Sequence, residues 1–154
     1  MKRIKVTLAI VLCLFSASQS ARLFAQSNRL IDEMLLEEKA SFGKSVFLVL
    51  SAAGLVAETA SVTEALSFLE GTGWHSRLKE ADDPIKLGEY SFIIMKSFRI
   101  SGGLFYSLFP GPRYAARELK YLRFYTGRYD AGRVLSGDDV LGILGKALTW
   151  QEAD

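Results

Sequence analysis

Residues 112–148 read PRYAARELKYLRFYTGRYDAGRVLSGDDVLGILGKAL. The spacing predicts one helix, a glycine-studded loop and a second helix. In the first helix Leu119 and Leu122 share a face with Ala115 and Tyr114, the three-and-four recurrence of an amphipathic helix. Thr126-Gly127 predicts its stop, because glycine readily takes the left-handed conformation that ends helices. Ser136 followed three residues on by Asp139 has the form of a capping box that opens the next helix. Val140, Leu141, Ile143, Leu144 and Leu148 supply that helix with an apolar face. No catalytic constellation accompanies the unit.

Working outward, the same grammar recurs. Residues 28–38 predict a short amphipathic helix with Leu30, Ile31, Met34 and Leu35 on one side and Asp32, Glu33, Glu37 and Glu38 making it acidic. Ser41 is placed to cap the following helix. Val46 to Leu50 with Ala52 and Ala53 make that helix apolar all round, which requires burial on every side. Its 13 uncharged residues between Lys44 and Glu58 are too few to cross a bilayer. Ser61 and Glu64 form a second capping box, and Gly71-Thr72-Gly73-Trp74 predicts a helix stop with Trp74 folded back on the core. A further helix is expected over Leu87 to Phe98, after the Asp83-Pro84 boundary.

Three predicted helices align on a glycine near their start, at Gly43, Gly88 and Gly137. These lie 45 and 49 residues apart, within the period of helical repeat proteins. Leu66, Leu69 and Gly73 likewise match Leu119, Leu122 and Gly127. The expected fold class is therefore all-α, a stack of helix-loop-helix repeats over about 28–55, 61–98 and 112–148, which must pack together to bury their faces.

The pattern resembles the S-layer homology (SLH) domain, in which a helix ending in glycine and a loop lead to a Thr-Arg-Ala-Glu start of a second helix. The 112–148 copy carries the resemblance through Ala116, Leu119, Leu122, Gly127 and Ser136 to Asp139, and the 61–98 copy through Leu66, Leu69, Gly73 and Ile85 to Tyr90. The resemblance implies a stacked helical bundle that binds peptidoglycan or another wall polysaccharide and anchors proteins to the envelope. The family's ligand-binding arginine is missing: Gly137 stands in its place (or Ser136, if the glycines are aligned), and Leu87 in the middle copy.

Residues 1–25 have the form of an export signal. Lys2, Arg3 and Lys5 precede a ten-residue apolar run, Val6 to Phe15, about half a membrane span. Small residues then offer cleavage after Ser20 or after Ala25. Cys13, the sole cysteine, lies within the run, so a processed chain over 26–154 would hold no disulfide and no thiol nucleophile. An exported, periplasmic or envelope-associated single domain is expected.

Formal charge is +2 over the whole chain, but its distribution is more telling. Residues 26–95 carry 6 basic and 11 acidic side chains, 96–133 carry 8 and 2, and 134–154 carry 1 and 4. A basic middle between acidic ends suits a local anionic partner rather than general nucleic-acid affinity. At 100° per residue Arg113, Arg117 and Lys120 fall within about 60° of one another on the predicted 112–125 helix, with Arg123 beside them. Arg128 and Arg133 extend the charge into the loop. These six cations are the candidate ligand-binding residues, suited to carboxylate or phosphate groups of a wall polymer.

The segment SGGLFYSLFPGP, 101–112, brackets Leu104, Phe105, Tyr106, Leu108 and Phe109 with glycines and prolines. Either its aromatics plug the core or they form an exposed contact to a partner or membrane surface. In the second case Phe105, Tyr106 and Phe109 are the candidate partner contacts. Nothing points to an enzyme. The one histidine, His75, has no cysteine or second histidine for zinc, and no G-x-S-x-G occurs. Neither a cofactor nor a metal is expected. The expected function is non-catalytic envelope binding, or alternatively an envelope protein-interaction or scaffold role for 101–112.

Overall fold

The computed structural model describes residues 29–74 and 79–153. The expected export signal over 1–25 and His75 lie outside them. The described residues form seven helices and no strand: α1 (29–35), α2 (Phe42–Ala52), α3 (Val62–Thr72), α4 (Leu87–Ser97), α5 (Leu104–Leu108), α6 (Pro112–Tyr121) and α7 (Gly137–Ala153). The all-α expectation is met.

Helices α2, α4 and α7 pack on one another, with α3 against α2 and α6 against α4. Every helix contributes to one hydrophobic cluster. Val46 to Leu50 are all buried, as a helix apolar on every side requires. Burial on every side, expected for this helix with Ala52 and Ala53 included, holds only as far as Leu50. Its end emerges, with Ala52 exposed, and α4 buries eight of its eleven residues, as many as α2. The Tyr90 hydroxyl ties the trio together by donating to the Val140 carbonyl (2.9 Å).

The segments leading into the three central helices are joined in a closed ring of backbone hydrogen bonds. Ala40 N–H donates to the Leu135 carbonyl (2.8 Å), Leu135 N–H to Ile85 (3.1 Å) and Ile85 N–H to Ala40 (2.9 Å). One layer on, Phe42 N–H donates to Asp83, Leu87 N–H to Arg133 and Gly137 N–H to Glu37. Each of these is a first-turn amide with no partner inside its own helix, and here a neighbouring segment satisfies it. The ring equates positions 40, 85 and 135. Gly137 therefore stands level with Phe42 and Leu87, not with Gly43 and Gly88, one residue off the register read from sequence.

All three starts also present the N-cap amide to a carboxylate: Ser41 to Glu37 (2.7 Å), Lys86 to Glu89 (3.0 Å) and Ser136 to Asp139 (3.3 Å). The boxes expected at Ser61/Glu64 and Ser136/Asp139 are both formed. Ser41 is an N-cap by position, but its hydroxyl makes no cap bond; its N–H and the Lys44 ammonium both donate to the Glu37 carboxylate.

Two helix ends differ from expectation. α1 stops at 35, and Leu36 to Lys39 turn the chain toward the ring. α6 stops at Tyr121 instead of Thr126-Gly127, since Arg123 takes a left-handed φ of 61°. Arg123 N–H then bonds Lys120 and Phe124 N–H bonds Leu119, the paired bonds of a Schellman ending. Arg99 likewise follows α4 with a left-handed φ of 54°, where Ile100 N–H bonds Met95 (3.0 Å). A left-handed residue with a Cβ is strained, so Arg99→Gly should stabilise the fold by about 0.5–1 kcal/mol, read as a higher urea midpoint. An unchanged or lower midpoint would show that the arginine side chain compensates.

Candidate functional site

The site grows from α6. Pro112 occupies its first position, where a missing N–H costs nothing. Ala115, Ala116 and Leu119 are buried toward α4, and the small alanines let the helices approach closely. The opposite face therefore turns Arg113, Arg117 and Lys120 outward at spacings of four and three, as the sequence predicts.

These three cations line a groove of about 530 Å³ together with Tyr114 and Tyr129. The loop after α6 is folded back along the helix by two tyrosine hydroxyls. Tyr125 donates to the Ala116 carbonyl (2.8 Å) and Tyr129 to the Arg113 carbonyl (3.0 Å). Burial pushes the Tyr125 phenol up to about 12, so it stays a neutral donor. Lys120 bonds the Gly127 carbonyl and lies 5.6 Å from the Tyr125 ring centre, which fixes the groove's inner end. Among the described residues, none of Arg113, Arg117 and Lys120 has a carboxylate at ion-pair distance.

The other candidate cations are placed differently. Arg123 is exposed at the left-handed helix end and Arg128 is exposed in the loop; neither lines the groove. Arg133 is engaged elsewhere: its guanidinium grips Asp139 at 2.7 and 3.4 Å. Burial opposes the Asp139 charge, but hydrogen bonds from Arg133 and the Ser136 backbone outweigh it and hold the carboxyl below its ordinary pKa. Arg133 thus clamps the start of α7.

Of the candidate contacts in 101–112, Phe105 and Phe109 are exposed, whereas Tyr106 is 8% exposed and sits against Phe92 with ring centres 6.4 Å apart. Tyr106 is therefore core and not a contact residue. Both sequence alternatives for this segment are realised, one residue in and its neighbours out.

Sequence reasoning missed two groove residues. Tyr114 was placed with the apolar face, yet it is only about 60° from Arg117 on a helical wheel, and it lines the groove while stacking on Phe105 and Phe109. Tyr129 is reached only through the loop's return, which no spacing announces. The arrangement offers forked cations beside flat aromatic faces, which suits contact with anionic groups. Among the described residues no three His, Cys, Asp or Glu side chains converge to hold a metal.

Gly137, where the SLH resemblance would put an arginine, backs directly onto the Met34 carbonyl, so no side chain fits there. Leu87 in the middle copy is fully buried. Compared with family models, curated proteins and solved structures, the chain matches none.

Proposed function

We propose that the chain is a non-catalytic module of the cell envelope that binds an anionic wall polymer, peptidoglycan or a related polysaccharide, in the α6 groove. The observation that carries this is the convergence of Arg113, Arg117 and Lys120, all without carboxylate partners among the described residues, on a groove walled by Tyr114 and Tyr129. Guanidinium forks suit carboxylates and phosphates, and tyrosine faces suit sugar rings. The signal-like residues 1–25 support export to the compartment where such polymers lie.

The repeat architecture belongs to the same proposal. Three helix-loop-helix units, SLH-like in arrangement, would bring three equivalent helix starts together, and the 40–85–135 ring is what such a stack needs at its axis. The wall-binding chemistry would then have moved from the helix starts to the basic face of α6.

Pull-down with purified sacculi tests the reading. Arg113→Glu with Arg117→Glu should weaken retention by on the order of tenfold or more, and raised salt should weaken the wild type in the same direction. Both side chains are exposed, so helicity should not change. Full retention by the double variant would overturn the groove as the binding site.

A further inference from the structure

We propose that α5 and the adjoining basic edge of α6 form one surface that seats on an anionic phospholipid bilayer. Leu104, Phe105, Leu108 and Phe109 are 70%, 54%, 61% and 62% exposed, on a segment bounded by Gly102-Gly103 and Pro110-Gly111. Single exposed hydrophobes are ordinary; four within six residues, three on α5 and one at its C-cap, are not. Tyr106 is the anchor. Gly102 lies so close beneath it that any Cβ there would fall 2.5 Å from its ring. With that one side chain drawn in, its four apolar neighbours are held out.

They are also held in order. Phe105 stacks on Tyr114 nearly parallel (7°, ring centres 6.4 Å apart), Phe109 stacks on the same ring at 6.3 Å, and the Arg117 guanidinium lies 5.6 Å from the Phe105 ring centre. The apolar patch and the cations are thus contiguous.

Charge identifies the occupant. From Ser97 to Arg117 the chain has no acidic residue, while Arg99, Arg113 and Arg117 fall within that stretch; the one carboxylate beside it, Glu118, lies against Gly103 at the start of α5, and the three arginines outnumber it. A bilayer with anionic headgroups takes leucine and phenylalanine side chains into its acyl boundary and offers phosphates to the arginines in the same approach. α5 has five residues, far fewer than a bilayer span needs, so its contact is a peripheral one. This goes beyond wall-polymer binding: it shares Arg113 and Arg117 but requires the α5 side chains, which the groove does not use.

The test compares full-length chains, so that the apolar run at residues 6–15 is common to every sample. Vesicles of phosphatidylglycerol with phosphatidylcholine should bind the wild type on the order of tenfold more tightly than phosphatidylcholine alone. Phe105→Ser with Phe109→Ser should reduce that binding about tenfold or more, while sacculus retention falls far less, since the two rings back Tyr114 but do not themselves line the groove. Arg113→Glu with Arg117→Glu should reduce vesicle binding too. Insertion is read locally in Phe105→Trp, whose added fluorescence should be quenched by acyl-chain-brominated phosphatidylglycerol above the level of wild type, with its native Trp74 and Trp150. That readout decides the matter even if the double serine variant loses helicity. Absence of extra quenching, or undiminished vesicle binding by a folded double serine variant, would overturn the proposal. So would the serine variant releasing a crosslinked envelope protein, or dissociating a dimer, where the wild type ignores vesicles.

Discussion

Gly137→Ala should cost about 3 kcal/mol or more, whereas Gly142→Ala and Gly145→Ala, on the same helix, should each stabilise by about 0.5–1 kcal/mol. Glycine is a poor helix residue, so propensity alone predicts a gain at all three positions. Packing reverses the sign at one. A Cβ on Gly137 would overlap the carbonyl of Met34, which is main chain and cannot rotate aside, while the same atom at Gly142 or Gly145 meets nothing within 4 Å. Relief would require α1 to back away from α7, unseating the fully buried Met34 and stretching the Gly137 N–H bond to Glu37 (2.9 Å). Urea midpoints of the three variants check the prediction. Similar shifts of one sign would mean that α1 does not press on the start of α7.

That contact also marks how far the sequence could be read. Hydrophobic spacing places the six longer helices, because each must turn an apolar face to one core. Ser61/Glu64 and Ser136/Asp139 predict their own helix starts, since a capping box is local chemistry. The basic face of α6 is legible for the same reason: Arg113, Arg117 and Lys120 obey a fixed angular step along one helix. What the sequence hides is set between segments. The true end of α6 depends on Arg123 adopting a conformation that glycine would have advertised. The commitment of Arg133 to Asp139 needs the loop's path, as does the arrival of Tyr129 at the groove. The ring at Ala40, Ile85 and Leu135 is made by backbone atoms, which leave no residue signature at all.

In α2 the two kinds of information meet, and Leu50→Asp should abolish the folded state. Leu50 is fully buried two residues before the end of the helix, and its carbonyl accepts the Leu55 N–H that closes the helix terminus (2.8 Å). Truncation to alanine would already cost about 2–5 kcal/mol through the cavity left behind. A carboxylate adds the penalty of a charge, or of a protonated acid without partners, in an apolar cluster, several kcal/mol more. Against a total stability of about 5–15 kcal/mol for a domain, the sum leaves little or nothing. Ala52→Asp, two residues on and exposed, is the matched control: it meets only water and the unfavourable helix C-terminus, and should cost less than about 1 kcal/mol. Helical circular dichroism and urea titration of the pair read the two faces of α2 directly. A cooperative, helical Leu50→Asp variant with a midpoint near that of Ala52→Asp would mean that the Val46–Leu50 turn is not the closed centre on which α3, α4 and α7 converge.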